Sequence, residues 1–254
     1  VKIRILGSGT SSGVPRIGND WGSCDPAEPR NRRTRASVIV STETTRILVD
    51  TSPDMREQLL AADVAAFDAI VWTHDHADHC HGIDDVRQLM HVKGEAVRGL
   101  ARPFTVDLLR RRFEYAFSGR PGYRPTIAIE PLPDRITIGD ITLRTVDQPH
   151  GGITSAGLRF EHGGKAIGYS TDFNLFTDDM RALYENLDIW VVDALRHAPH
   201  PTHPHLAAVL GWIGEVRPAH AALIHMDNSM DYRSLLAELP AGVEPGYDGM
   251  ELIA

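Results

Sequence analysis

The stretch Thr73-His74-Asp75-His76-Ala77-Asp78-His79 places three imidazoles and two carboxylates within six residues, just after an apolar run, Ala69–Trp72. Core packing does not call for such a density of polar side chains, because burying them costs free energy unless they are partnered. Histidine nitrogen and aspartate oxygen are good donors to divalent cations. His74 and His76 alternate along an extended segment, so both can face one ion. Asp78 and His79 continue the loop and can turn to a second ion. This is half of a two-metal site, and its chemistry is metal-assisted hydrolysis. Two ions about 3.5–4 Å apart can generate a hydroxide and clamp substrate oxygens.

The other half needs a third nitrogen for the first ion, a bridging carboxylate and a nitrogen for the second. His150, Asp172 and His225 are the natural candidates. Each lies just past a β-branched or apolar run that reads as a strand: Ile141–Val146, Lys165–Tyr169 and Ala221–Ile224. Asp50 ends another, Arg46–Asp50. Loops at one edge of a rigid sheet are where sites are usually built. His91, His162 and His220 stand alone and read as ordinary surface or core residues.

The elements that must position these groups are legible in outline. Further strands are expected at Lys2–Leu6, Ala36–Ser41, Ile136–Ile138, Ser155–Phe160 and Ile189–Asp193. Helices are expected at Pro53–Ala61, Ile83–Met90, Val106–Phe113, Asp178–Tyr184, Leu206–Glu215 and Tyr232–Leu239. No repeat and no low-complexity linker is evident, so residues 1–254 read as one domain. The order of elements fits a mixed-sheet α/β sandwich better than a parallel doubly wound sheet.

The bulk composition narrows the function classes. The chain has 254 residues, 42% hydrophobic and 24% charged, as in an ordinary globular protein. No apolar run approaches the roughly 20 residues that span a bilayer. The Lys2–Leu6 strand, without a signal-peptide pattern ahead of it, gives the expectation of a cytoplasmic protein with no membrane partner. The net charge of −8 argues against a general nucleic-acid-binding surface. Arg30, Arg32, Arg33 and Arg35 are a local exception, read either as a solvated loop or as an anion-guiding rim. The two cysteines, Cys24 and Cys80, are not expected to pair in a reducing compartment.

Thr73–His79 is the THxHxDH signature of the metallo-β-lactamase-fold hydrolases, which the chain resembles over nearly its whole length. His150, Asp172 and His225 look like the later motifs of that superfamily, in order. The resemblance implies an αββα sandwich of two mixed sheets with helices on the outer faces. It implies one divalent ion on His74, His76, His150 and Asp172, and another on Asp78, His79, Asp172 and His225, with Asp172 bridging and Asp50 in support. The all-nitrogen-and-oxygen donor set suits zinc, manganese or iron and does not choose among them.

A closer resemblance is to the PhnP-like phosphodiesterases and their relative tRNase Z. Both carry a histidine where this chain has His197-Ala198-Pro199-His200-Pro201-Thr202-His203-Pro204-His205. His203 is the best match for a phosphate ligand and general acid, and His200 or His205 could share that role. The loop Gly7–Gly13 and the tail Gly246–Glu251 are also PhnP-like. Many such proteins hold a structural zinc with a cysteine cluster in the first long loop. Here only Cys24 stands in that loop, so no structural zinc is expected.

The implied activity is hydrolysis of a small cyclic or nucleotide-like phosphodiester. A hydroxide activated by both ions attacks phosphorus, and His203 protonates the leaving oxygen. Two divalent ions less Asp78, Asp172 and the hydroxide leave a positive charge of about one, suited to a phosphodiester monoanion. The alternatives are tRNA 3′ processing, which the acidic balance disfavours, and β-lactam or thioester hydrolysis. Asp172, where class B β-lactamases carry cysteine, argues against the β-lactam reading. A non-hydrolytic accessory protein is the alternative from another class. The expected partner is a small phosphodiester, and a homodimer is left open.

Overall fold

The computed structural model describes residues 1–254. The first sheet begins with β1 (Lys2–Gly7), β2 (Ser37–Ser41), β3 (Arg46–Val49), β4 (Ala69–Trp72), β5 (Val97–Ala101) and β6 (Ile127–Pro131). The second contains β7 (Arg135–Ile138), β8 (Ile141–His150), β9 (Ile153–His162), β10 (Lys165–Ser170), β11 (Ile189–Asp193), β12 (His220–Ile224) and β13 (Val243–Pro245). The last strand, β14 (Glu251–Ile253), returns to pair with β1. The orders are β14-β1-β2-β3-β4-β5-β6 and β13-β12-β11-β10-β9-β8-β7.

Each sheet is antiparallel along one half and parallel along the other. In the first, pairing is antiparallel from β14 to β3 and parallel from β3 to β6. In the second, it is antiparallel from β7 to β10 and parallel from β10 to β13. The two sheets therefore repeat one pairing pattern, a regularity invisible to a search for repeated residues.

Period-2 alternation assigns the layers. In β2, Val38 and Val40 face the core between the sheets and Ile39 faces the helices. In β4, Ala69 and Val71 point inward while Ile70 and Trp72 point outward. In β11, Ile189 and Val191 point inward while Trp190 and Val192 pack outward. Both faces of these strands are buried, which is why they read as continuous apolar runs.

On the first sheet lie α1 (Met55–Ala62), α2 (Ala77–Cys80), α3 (Val86–Lys93), α4 (Pro103–Arg112) and α5 (Glu114–Ser118). On the second lie α6 (Asp178–Leu183), α7 (Leu206–Val216) and α8 (Tyr232–Glu238). Four layers result, helix–sheet–sheet–helix, the αββα sandwich that the signature implied. No helix is long and apolar enough to cross a membrane.

The structure corrects several local readings. β5 and β6 were not anticipated, because Arg98 and Gly99 interrupt one apolar run and Glu130 and Pro131 end the other. The stretch Ile83–Met90 opens as a single 3₁₀ turn, Ile83–Asp85, before α3 begins. The arginine cluster is neither a uniformly solvated loop nor a uniform rim. Arg33 is buried and donates to Met230 O at 2.6 Å and Asp227 O at 3.3 Å. Arg30 lies over the rings of Tyr232 and Tyr247, and Arg32 lies over Trp21.

Candidate metal centre

The site sits at the C-terminal ends of β3, β4, β8, β10, β11 and β12. Asp50 follows β3, His74 lies two residues past β4, and His150 is the last residue of β8. The strand reaches further than its β-branched run because Asp147–His150 still pairs with Ile153–Ala156. Asp172 lies two residues past β10 and His225 directly follows β12. Asp50, Asp172 and His225 have left-handed backbones, with φ of 62°, 51° and 57°. Such a conformation is uncommon outside glycine and clusters at functional sites.

These residues converge into two groups of four. His74, His76, His150 and Asp172 form one, and Asp78, His79, Asp172 and His225 the other; in each, the donor atoms lie within 4.8 Å of one another. Asp172 belongs to both through different oxygens. Its Oδ2 lies 3.7 Å from His74 Nε2 and 3.5 Å from His150 Nε2. Its Oδ1 lies 3.1 Å from His79 Nε2 and 3.4 Å from His225 Nε2. Asp78 Oδ2 completes the second group, 3.3 Å from His79 Nε2 and 3.4 Å from His225 Nε2.

The donor chemistry fits a pair of cations. His74 Nε2 and His79 Nε2 are buried with no hydrogen-bond partner, and both face Asp172. A buried orphan of this kind is costly, and a bound ion would satisfy it. The opposite ring nitrogens are anchored. His79 Nδ1 contacts Asp50 Oδ2 at 2.8 Å, and His150 Nδ1 contacts the Thr202 carbonyl at 2.9 Å. Such contacts fix the tautomer and leave the other nitrogen as a donor lone pair. Asp50 is itself held by the Thr73 amide and hydroxyl, each at 2.8 Å, so one carboxylate aligns both ends of the signature.

The two groups differ electrostatically. Burial, reinforced by the charge of His79, pushes His74 well below its usual range, and burial also lowers His150. Burial would lower His79 too, but Asp172, Asp78 and Asp50 outweigh it and hold the ring well above its usual range. His225 is likewise pushed up to about 9 against its burial, by Asp172 and Asp193. Burial would raise Asp172, yet His225 and His79 hold it well below the usual carboxylate range. The first group offers three nitrogens and one oxygen, the second two nitrogens and two oxygens, so the second is the more anionic.

His203 joins the cluster from the segment before α7. Its Nδ1 lies 2.9 Å from Asp193 Oδ2 and its Nε2 lies 3.8 Å from Asp172 Oδ2. Its ring stacks on His225 at 4.7 Å and meets His150 edge-on at 4.9 Å. His200 lies farther out, with its ring 5.3 Å from that of His203, and His205 is the N-cap of α7. The segment is held by main-chain bonds, Leu195 N to Pro204 O at 3.1 Å and Leu206 N to Arg196 O at 2.9 Å.

Three participants escaped the sequence reading. Asp193 ends β11, fully buried, and also accepts from the Asp172 amide at 3.2 Å. Its signal was available: an acidic residue closes an apolar strand, as Asp50 does. Arg112 at the end of α4 donates to the carbonyl of Asp75 and, at 2.8 Å, to its Oδ2, so it clasps the signature loop. Ser11 lines the site cavity of about 310 Å³ together with His76, Asp78, His150, Asp172 and His203. A larger cavity of about 900 Å³ between α3 and residues 120–126 contains none of these groups, and the clustered donors identify the smaller one as the site.

Cys24 is buried, with its thiol 3.8 Å from Arg33 Nη1. Its loop is fastened by Arg33 and by Asn31 Nδ2, which donates to Asp231 Oδ2 at 2.7 Å. Cys80 is also buried, and its thiol donates to Asp75 O at 3.2 Å.

Comparison with known proteins identifies the fold family. The family model of the β-lactamase superfamily domain matches residues 45–226. A solved diphosphatase from the PhnP family is 34% identical, with a TM-score of 0.91 over 100% of this chain and 97% of its own. Zinc-bound PqqB from Methylobacterium extorquens shares the fold at 16% identity, with a TM-score of 0.80 over the whole of both chains. An octanoyltransferase of Porphyromonas gingivalis is 30% identical over 98% of this chain, which spans only 51% of that relative's length. With the signature, the four-layer sandwich and a family match over most of its length, the chain belongs to the metallo-β-lactamase superfamily.

Proposed function

We propose that the chain is a binuclear metal-dependent phosphodiesterase acting on a small phosphodiester. His74, His76, His150 and Asp172 would hold one divalent ion, and Asp78, His79, Asp172 and His225 the other. Bound there, the ions would activate the attacking water and neutralise charge on the phosphoryl oxygens. His203, oriented by Asp193, would hold a phosphoryl oxygen and supply a proton to the leaving oxygen through Nε2. Asp50 would keep His79 and the signature loop in register.

The observation that carries this reading is His203 itself. It is an imidazole anchored at one nitrogen and facing, with the other, the cavity that both donor groups share. Hydrolysis of a thioester gives this anchored acid no evident task, because a thiolate leaves without a proton, whereas a phosphodiester with an alkoxide leaving group needs that oxygen protonated. The similarity to a PhnP-family diphosphatase supports phosphoryl chemistry.

The test is turnover of bis(p-nitrophenyl) phosphate by protein loaded with manganese or zinc, beside a p-nitrophenyl carboxylic ester, a thioester and a precursor tRNA. Metal content is measured in parallel. Turnover of the small phosphodiester that requires two ions per chain is the expected result. Preference for the tRNA would move the reading to RNA processing. Two bound ions with no turnover of any phosphodiester would favour an accessory role.

A further inference from the structure

The large cavity beside α3 takes no part in the reading above. It measures about 900 Å³ and lies among α3, α5 and residues 120–126. Ala96 and Thr126 line it, and they immediately precede β5 and β6. The metal donors of this sheet follow the C-terminal ends of β3 and β4, which run parallel to β5 and β6. The cavity therefore opens toward the opposite edge of the sheet, and no member of the donor groups lines it.

Its charge runs against that of the molecule. In a chain of net charge −8, Arg87, Arg120 and Arg124 all line this one cavity. None of the three has a carboxylate within 4.0 Å. Their neighbours in sequence Lys93, Arg98, Arg102 and Arg112 are each paired with one. The one carboxylate in the lining, Glu95, is the partner of Lys93 at 3.3 Å. Three guanidiniums thus stay free, and their planar forks match phosphate oxygens.

Aromatic surface lies among these cations. Tyr123 is 74% exposed, Tyr115 is partly buried, and Met90 adds an apolar side. Elsewhere the arginines and the rings are matched to one another, with Arg30 over Tyr232 and Tyr247 and Arg32 over Trp21. Here no guanidinium lies over Tyr115 or Tyr123, so both kinds of group are open to a ligand.

The wall is set by the backbone. Arg120-Pro121-Gly122-Tyr123 closes on itself, with Arg120 N donating to Tyr123 O at 2.9 Å and Tyr123 N to Arg120 O at 2.8 Å. Proline at the second position and Gly122 at φ +84° suit so tight a turn. Thr126 N donates to Ala116 O at 2.8 Å and Val97 N to Thr126 O at 2.9 Å, which ties the segment to α5 and β5. Arg120 and Tyr123 are therefore presented together, and a pre-organised wall costs little to use when a ligand arrives.

We infer that this cavity binds a nucleotide, with its base against Tyr123 and its phosphate on Arg87, Arg120 and Arg124. Free cations alone would take any anion, and exposed rings alone any flat apolar group. The two together, in a space of small-molecule size, select a planar ring that carries phosphate. Single-stranded nucleic acid needs a basic groove that follows several phosphates, whereas the neighbouring cations are neutralised by their carboxylates. The site binds and does not react, since no group of metal donors lies there. The inference does not depend on the phosphodiesterase reading.

The test is calorimetric titration of the metal-loaded wild type and of Asp172→Ala, whose metal centre is disabled. The probes are the common 5′-mononucleotides, their nucleosides and inorganic phosphate. At least one mononucleotide should bind both proteins equally well, and Asp172→Ala should bind it at least about tenfold more tightly than its nucleoside or phosphate. Tyr123→Ala should weaken that binding about fivefold or more, the worth of one stacked base. The double variant Arg87→Gln, Arg124→Gln should weaken it about tenfold or more. Both variants should keep the wild-type melting temperature and turnover of bis(p-nitrophenyl) phosphate; should the double variant melt early, Tyr123→Ala decides. Failure of every mononucleotide to bind, loss of binding in Asp172→Ala, or an unchanged affinity in Tyr123→Ala would overturn the inference. Much tighter, steeply salt-dependent binding of a single-stranded oligonucleotide of about 12 residues would overturn it in favour of a nucleic-acid surface.

Discussion

His203 Nδ1 lies 2.9 Å from Asp193 Oδ2, and that carboxylate also accepts from the Asp172 backbone amide at 3.2 Å. One fully buried aspartate thus positions both the cavity-facing imidazole and the residue shared by the two donor groups. Asp193 lies at the end of β11, between β10 and β12, whose ends lead to Asp172 and His225. The parallel half of the second sheet therefore brings three consecutive strand ends to one point. The Asp193 carboxylate accepts from an Nδ1–H of His203 and turns Nε2 toward the cavity, where a second proton on the ring would be the transferable one.

Replacing His203 by alanine should reduce kcat by about 10²–10⁴-fold, the usual worth of a general acid, on a phosphodiester with an alkoxide leaving group such as a nucleoside 2′,3′-cyclic phosphate, and by much less on bis(p-nitrophenyl) phosphate, whose nitrophenolate leaves without a proton. Two ions per chain should remain, since His203 belongs to neither of the two groups proposed to hold them and shares only a third cluster with Asp172, Asp193 and His225. Asp193→Asn should lower kcat by about 10–100-fold and shift the pH profile, because an amide can leave the imidazole in the wrong tautomer. Steady-state kinetics from pH 5 to 9, with metal analysis, check both. An unchanged profile in Asp193→Asn would remove the orienting role.

Asp172→Ala should remove affinity at both donor groups, whereas His76→Ala should weaken only the first. The reason is the split of Asp172, with Oδ2 toward His74 and His150 and Oδ1 toward His79 and His225. Elemental analysis after dialysis against a weak chelator should find nearly two ions in the wild type, about one in His76→Ala and fewer than one in Asp172→Ala. Stripping the wild type should also lower its melting temperature, since a ligand bound only by the folded state stabilises it. Independent loss of one ion from Asp172→Ala would contradict the shared role.

Much of this arrangement could be read from the sequence because it depends on local order. The signature fixes His74, His76, Asp78 and His79 by spacing alone, and Asp50, His150, Asp172 and His225 announce themselves at or just beyond strand-like runs. Asp193 has the same signature as Asp50, but no neighbouring histidine marks it, and its contact with His203 spans ten residues of proline-rich loop. Ser11 is less visible still. Its placement depends on the pairing of Thr10 with Met226, a contact between opposite ends of the chain that no periodicity encodes. The tertiary contacts also decide the fate of the arginines: four neighbours in sequence end in different environments, with Arg33 buried and Arg35 paired with Asp54.

Arg112→Ala should loosen the signature loop. Arg112 reaches from α4 to the Asp75 carbonyl and to Asp75 Oδ2, and Asp75 is buried. Without it, a largely buried carboxylate loses its ion partner, which should cost about 1–2 kcal/mol, because the guanidinium itself is 41% exposed. Metal affinity should fall without loss of either ion at saturating concentration. Urea denaturation of the metal-free protein and a zinc titration against a chromophoric chelator measure the two effects. Unchanged values in both would assign Arg112 to the surface alone.

Asp231 offers a pH test away from the donor cluster. Its Oδ1 caps α8 by accepting from the Ser234 amide at 3.0 Å, and its Oδ2 accepts from Asn31 Nδ2 at 2.7 Å and the Asp25 amide at 3.1 Å. Burial alone would raise its pKa, but these donors outweigh it and bring it down to about 2. A carboxylate with a depressed folded-state pKa stabilises the fold fully above its unfolded value, near 3.9 in model peptides, and loses that contribution as the pH falls toward 2. Asp231→Ala should therefore cost about 1 kcal/mol or more at pH 7, the usual worth of an N-cap. The difference between variant and wild type should stay constant from pH 7 to about 5 and narrow below about 4. Urea denaturation of the metal-free proteins across that range measures it. A gap that widened on acidification would reverse the sign and show that the protonated form is the one the fold holds.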